Sequence, residues 1–208
     1  MTTVREYAIT RAADGSCTTA GVQPLNDQIF ELAVPVLMND LVSCEDIVEI
    51  VGSSTIPFLQ PAARAALAEA VAEMDERPRL VHAYRTLAHQ YVLFFWFNHN
   101  QLCDISLAAT PGSSPHEQGI AIDIRENARW RAVLARHNWR WRGSVDPAHF
   151  TYIGPGTTSR VRKESIRAFQ RLWNIHNPAD LIQEDGVYGD IETGPRIERS
   201  PVEGFASD

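Results

Sequence analysis

Cysteine is scarce in this 208-residue chain and basic charge is in the minority, with three Cys and 19 Lys and Arg against 26 Asp and Glu, a formal net charge of −7. Cys17, Cys44 and Cys103 lie far apart, are odd in number and form no CxxC pair. That excludes a disulfide framework or a cysteine zinc site of their own, so the expectation is small buried or free thiols. The acidic balance argues against a general nucleic-acid binder, which normally carries a basic surplus. Long apolar runs are missing too. The longest, Tyr91–Phe97, is too short to cross a bilayer, and no membrane span is expected. Met1-Thr-Thr-Val-Arg-Glu6 has neither the basic nor the apolar region of a secretory signal, so synthesis and retention in the cytoplasm are expected.

What is present is an ordinary globular composition, 44% hydrophobic, enough to bury a core without staples. Residues 1–23 are polar and read as an irregular lead-in. Leu25, Ile29, Leu32 and Val36 recur on one helical face within Leu25–Leu41, although Pro35 should kink or divide that helix. A short periodic run, Glu45–Val51, follows. Pro61 suits the first turn of an alanine-rich helix carrying Leu67, Val71 and Met74 on one face. Pro78–Tyr84 reads as a strand, and Thr86–Gln101 as an aromatic-rich, central helix. After the turn-rich loop Ala108–Pro115, the strict alternation of Gly119–Ile124 puts Ile120, Ile122 and Ile124 on one face, with Ala121 and Asp123 on the other. A carboxylate on an otherwise apolar strand wants an explanation. Asn127–His137 reads as a helix, and Trp139–Arg142 and His149–Ile153 as strands around the turn at Gly143–Pro147. Near Gly154 the texture changes to a linker and a small helical unit with the stripe Ile166, Phe169 and Trp173.

The segment Ser114-Pro-His116-Glu-Gln-Gly119-Ile-Ala121-Ile-Asp123, with Asp146-Pro-Ala-His149-Phe after it, gathers chemistry. Two His and one Asp form a three-ligand set for a catalytic zinc, leaving the fourth tetrahedral position for water. Asp146, three residues before His149, can reach such a water through a turn without being a ligand. Zinc lowers the pKa of the water toward neutrality, and the carboxylate takes its proton as attack on a carbonyl begins. An Asp before proline also caps ordinary turns, and an Arg at a strand end, such as Arg85, also forms ordinary surface ion pairs. His82, His89, His99, His137 and His176 fall at no ligand position.

The pattern S-x-H-x-x-G-x-A-x-D followed by acid-x-x-H-F resembles the zinc D-alanyl-D-alanine carboxypeptidases and dipeptidases, grouped with lysostaphin-type enzymes and the hedgehog signalling domain. Ala83-Tyr84-Arg85-Thr86 through Gln90 is similar to the family's (G/A)YR(S/T)xxxQ element, and Ala109-Thr-Pro-Gly112 to the loop entering its first ligand. The resemblance covers roughly residues 60–153. It implies that His116, Asp123 and His149 bind one zinc per chain, that Asp146 is the general base, that Arg85 stabilises the oxyanion, and that Ser114 and Gln90 line the substrate site. It also implies an α+β fold with a small, mainly antiparallel sheet carrying the ligands and packed helices. In the vancomycin-resistance carboxypeptidases the base is usually Glu; several phage L-alanyl-D-glutamate endopeptidases of the family use Asp, as here.

Farther on, Phe169-Gln170 and Asp185-Gly186-Val-Tyr-Gly189-Asp-Ile-Glu-Thr193 resemble a peptidoglycan-binding module, a helix with FQ and then DGxxGxxT opening a second helix, which Gly194-Pro195 should interrupt. The implied organisation is a lead-in at 1–23, a catalytic domain at 24–153, a linker at 154–160 and a wall-module-like helical unit at 161–208. The leading expectation is a zinc peptidase acting on peptidoglycan stem peptides, as a D,D-carboxypeptidase releasing terminal D-alanine, at work in the periplasm or cell wall. Its alternatives are an L-alanyl-D-glutamate endopeptidase, a zinc-stabilised wall-binding protein without turnover, and a cytosolic peptidase for other peptides.

Overall fold

Isoleucines on one side of a strand and an aspartate on the other require a sheet with two different faces, and the computed structural model, which describes residues 1–206, has one. Its helices are α1 (Val4–Ala13), α2 (Gln23–Leu37), α3 (Pro61–Met74), α4 (Leu87–Asn98), α5 (Asn127–Arg136), α6 (Arg160–His176) and α7 (Thr193–Arg199). Its strands are β1 (Val42–Ser43), β2 (Glu49–Ile50), β3 (Phe58–Leu59), β4 (Arg79–His82), β5 (Ala121–Ile124), β6 (Trp139–Trp141) and β7 (His149–Tyr152). The fold is α+β, as expected. Two compact units emerge, one formed by Leu37–Arg85 with Pro115–Val161, the other by Met1–Val36, Thr86–Ser114 and Arg162–Asp208.

The first of these contains the sheet. Five strands run in the order β2-β4-β5-β7-β6, antiparallel throughout except for the parallel edge pair β2–β4. One face packs into a core of Leu80, Ile122, Ile124, Trp139, Phe150 and Tyr152 with Leu67 of α3 and Trp130, Val133 and Leu134 of α5. Burying such side chains stabilises a fold by ~1.5–3 kcal/mol each. Period-two geometry then sends the intervening residues to the opposite face: Asp123 of β5 pairs with His149 of β7, and Thr151 of β7 stands opposite Arg140 of β6. Pro61 opens α3 at its first turn, as the sequence suggested. The Glu45–Val51 run is a 3-10 turn at Glu45–Ile47 followed by β2.

The other unit is helical. Residues 1–23 are not irregular as expected: Thr3 caps α1 through a reciprocal capping box with Glu6, and Val4, Tyr7 and Ala8 are buried. Trp96 of α4 donates its indole N–H to Ala8 O at 2.8 Å, and Tyr7 donates its hydroxyl to Thr18 O at 2.6 Å. Pro35 does not divide α2, because it falls in the last turn of a continuous helix. Nor does Gly194-Pro195 stop α7; proline there sits in the first turn, where its missing N–H has no intrahelical partner to lose. The expectation of free thiols holds for Cys44 alone, which is buried and pushed up to about 12 by that burial. Cys17 and Cys103 form a disulfide with Cα atoms 5.4 Å apart, joining positions 86 residues distant in sequence. Only the folded chain brings them together.

Candidate metal centre

His116, Asp123 and His149 converge on the polar face of the sheet, all buried. Asp123 and His149 are cross-strand partners on β5 and β7, so the ladder itself sets their spacing. His116 arrives from a tight turn closed by Gly119 N–H donating to His116 O at 3.0 Å. Gly119 there has φ +71°, and a Cβ on it would meet Leu41 Cδ2 at 2.7 Å, which is why the motif needs glycine. Gln60, fully buried, clamps this turn: its amide N–H donates to Gly119 O and its Nε2 to Gln118 O and Thr158 O, while Oε1 accepts from Thr158 N. A β-bulge between Leu80 and His82 places His82 opposite Asp123.

Three donor atoms face one another. His116 Nε2 lies 3.0 Å from His149 Nδ1 and 3.2 Å from Asp123 Oδ1, and His149 Nδ1 lies 3.0 Å from the same oxygen. A tetrahedral ion with bonds of ~2.0–2.1 Å requires ligand–ligand edges of about 3.3 Å, close to this triangle. Every other polar atom of the three side chains is held elsewhere. His116 Nδ1–H donates to Ala83 O at 2.7 Å, which leaves Nε2 with its lone pair. Thr151 Oγ1 stands 2.8 Å from His149 Nε2 and can accept its proton, freeing Nδ1. Arg85 donates to Asp123 Oδ2 at 2.7 Å, aiming Oδ1 inward. Hydrogen bonds of this kind fix ring tautomer and carboxylate orientation around metal ions. Lone pairs gathered this closely repel unless a cation or a proton lies among them, so the donor set fits a divalent ion that accepts nitrogen and oxygen.

The electrostatics agree. Burial, seconded by the Arg85 charge, lowers the His116 pKa to about 4, so the ring is neutral and able to ligate. Burial pushes the Asp123 carboxyl up, but His116, Arg85 and the imidazole hydrogen bonds outweigh it and hold the group well below the carboxylate range. Asp146, on the loop between β6 and β7, is half-buried; burial and then the Asp123 charge raise its pKa. Its carbonyl accepts from His149 N at 3.2 Å, and Trp141 Nε1 pins the same loop through Pro147 O at 2.9 Å. A proton acceptor of raised pKa beside a metal-ligand set is the arrangement for general-base hydrolysis.

Arg85, Asp146 and the three candidate ligands thus belong to one unit. Ser114 and Gln90 belong to the other, both buried, with Gln90 Nε2 donating to Ala109 O at 2.8 Å. Sequence reasoning missed Gln60, which carries no motif signal, and Thr151, whose place two residues after His149 on one strand was a usable clue. In the tail, Gln170 Nε2 donates to Asp185 Oδ1, Val187 O and Thr193 Oγ1, and its Oε1 accepts from Gly186 N. Those motif residues therefore hold one another. Among the described residues no helix is long and apolar enough to cross a membrane.

Among known proteins, a family model described as D-alanyl-D-alanine carboxypeptidase matches residues 59–143. That span includes Arg85, His116 and Asp123; the β5–β7 ladder joins His149 to them. No curated protein matches the chain.

Proposed function

We propose, from the match of residues 59–143 to a family model described as D-alanyl-D-alanine carboxypeptidase, that the protein is a zinc-dependent D,D-carboxypeptidase that removes terminal D-alanine from peptidoglycan stem peptides. The observation that carries this reading is the buried triangle of His116 Nε2, His149 Nδ1 and Asp123 Oδ1, with each ligand's remaining polar atom anchored. Zinc in such a site supplies Lewis acidity and a nucleophile at neutral pH by lowering the pKa of water.

The chain's own residues do the rest. His116 and His149 present neutral nitrogens, and Asp123 a carboxylate kept ionised by its neighbours. Asp146 takes a proton from the attacking water, and its raised pKa makes it a stronger base than a solvated Asp. Arg85 offers positive charge where the carbonyl oxygen becomes anionic, besides orienting Asp123. Ser114 and Gln90 are assigned to the lining of the substrate site on the family pattern. The Cys17–Cys103 disulfide suits an oxidising compartment, consistent with action at the wall, and residues 161–208 are assigned to wall attachment by their resemblance to peptidoglycan-binding modules.

Asp rather than Glu at position 146 favours a second reading, an endopeptidase cutting between L-alanine and D-glutamate. The test uses zinc-loaded protein and a disaccharide-pentapeptide, with products identified by mass spectrometry beside a chelator-treated control. Loss of one alanine, only in the zinc-loaded sample, supports the carboxypeptidase. Cleavage next to the first alanine replaces it with the endopeptidase. Turnover that survives chelation overturns the zinc mechanism.

A further inference from the structure

The polar face of the sheet continues past the ligands to β6. Thr151, which holds His149 Nε2, stands directly opposite Arg140, and Arg142 N–H donates to His149 O at 3.0 Å. With period-two alternation, Arg140 and Arg142 therefore project from the same face as His149 and Asp123. Together with Trp141 and Thr151 they line a cleft of about 340 Å³. Trp141 is fixed from behind: the Arg131 guanidinium lies 3.7 Å over its ring, and its Nε1 is bonded to Pro147 O.

Several other arginines of this unit are engaged, though Arg77 and Arg125 are not among them. Arg64 pairs with Asp46, Arg79 with Glu126, Arg129 with Glu76, Arg136 with Glu73 and Arg160 with Asp40. Among the described residues neither Arg140 nor Arg142 forms a close ion pair, both are exposed, and the Arg142 charge acts on Asp146, lowering its pKa against the effect of burial. Two exposed guanidinium forks, one on edge strand β6 and one just past its end, make a site for an anion of carboxylate geometry.

We infer that Arg140 and Arg142 hold the free C-terminal carboxylate of the substrate peptide, an inference that rests on the carboxypeptidase reading and deepens it. The scale fits. Adjacent strands lie ~4.8 Å apart, which separates Arg142 from His149. In a peptide the carboxylate of the last residue follows the scissile carbonyl by one Cα–Cα step of ~3.8 Å. A carbonyl at the ligand triangle thus puts the terminal carboxylate within an arginine side chain's reach of β6. Such a site selects chain ends over internal bonds.

The experiment compares an acylated tripeptide ending in D-Ala-D-Ala with its C-terminal amide, using zinc-loaded wild type, R140Q, R142Q and the double variant. Wild type is expected to prefer the acid. Loss of a charge-assisted hydrogen bond is expected to raise KM for the acid about tenfold in each single variant, with the KM for the amide little changed. The kcat should stay near wild type in R140Q, whereas R142Q, whose lost charge also acts on Asp146, is read on the acid-to-amide ratio of KM. Arg142→Lys should restore part of the loss. Zinc content and melting temperature, measured on each variant, confirm that the exposed substitutions leave the site loaded and folded. An acid-to-amide preference that survives in the double variant overturns the inference while leaving the carboxypeptidase reading intact. A wild type that releases no C-terminal residue, or prefers the amide, removes both.

Discussion

The two units of this chain both carry legible motifs, yet their motif residues behave in opposite ways. In the sheet-bearing unit, His116, Asp123 and His149 each spend one polar atom on a neighbour and turn another toward the other two. In the helical unit, Gln170, Asp185, Gly186 and Thr193 bond one another. The first arrangement fits an ion; the second is a self-contained brace. A motif residue takes part in chemistry directly when its side chain retains capacity aimed outward, and otherwise serves by shaping the unit that carries it.

The cross-links differ as well. The helical unit is stapled covalently at Cys17–Cys103, whereas the sheet-bearing unit has the candidate metal centre and a free buried thiol, Cys44. The largest effect is expected where chemistry and stability separate. Asp146→Asn should lower kcat by about 10²–10⁴-fold while metal content and melting stay as in the wild type. Steady-state kinetics beside elemental analysis will show it, and unchanged turnover would remove Asp146 from the mechanism. Next comes the staple. Replacing both Cys17 and Cys103 by Ser should cost ~2–4 kcal/mol of stability, read from chemical denaturation, with zinc stoichiometry unaffected. Coupled loss of zinc would mean that the disulfide also supports the metal centre.

A smaller effect belongs to the atoms behind the ligands. Thr151→Val removes the acceptor for His149 Nε2–H and should weaken zinc affinity about 10–100-fold, measured by competition with a chromophoric chelator. The smallest is a pH effect on metal-free protein. His116 titrates near 4 when folded against 6.5 as an ordinary imidazole, so the unfolded chain takes up the proton first. Its contribution is complete above 6.5 and lost as pH falls toward 4, at up to ~1.4 kcal/mol per pH unit. Asp123, with its lowered pKa, contributes with the same sign but only below the ordinary carboxylate value of 3.8. Melting temperatures across that range should fall, and more steeply in wild type than in H116Q.

Much of the site was legible because it rests on short-range rules. The alternation at Gly119–Ile124 announced a strand whose Asp123 faces away from the isoleucines, and the turn at Gly119 is local backbone geometry. The aromatic helix near Tyr91 and the proline-opened helix at Pro61 follow from equally local signals. Helix α1 was misread although its signature was present: Thr3-Val-Arg-Glu6 is a capping box, and only the polar sequence behind it hid the helix. The disulfide and the clamp by Gln60 are different in kind. Each joins residues far apart along the chain, so no window of sequence contains both partners.

The central claim is that His116, Asp123 and His149 hold the ion that makes this chain a peptidase. The most direct measurement is titration of zinc into metal-free protein, following heat of binding and release of alanine from a D-Ala-D-Ala peptide in the same samples, with His116→Ala alongside. The account requires one zinc per chain, activity that rises in step with its uptake, and neither in the variant. Full activity before zinc is added, or undiminished zinc binding by His116→Ala, would contradict it.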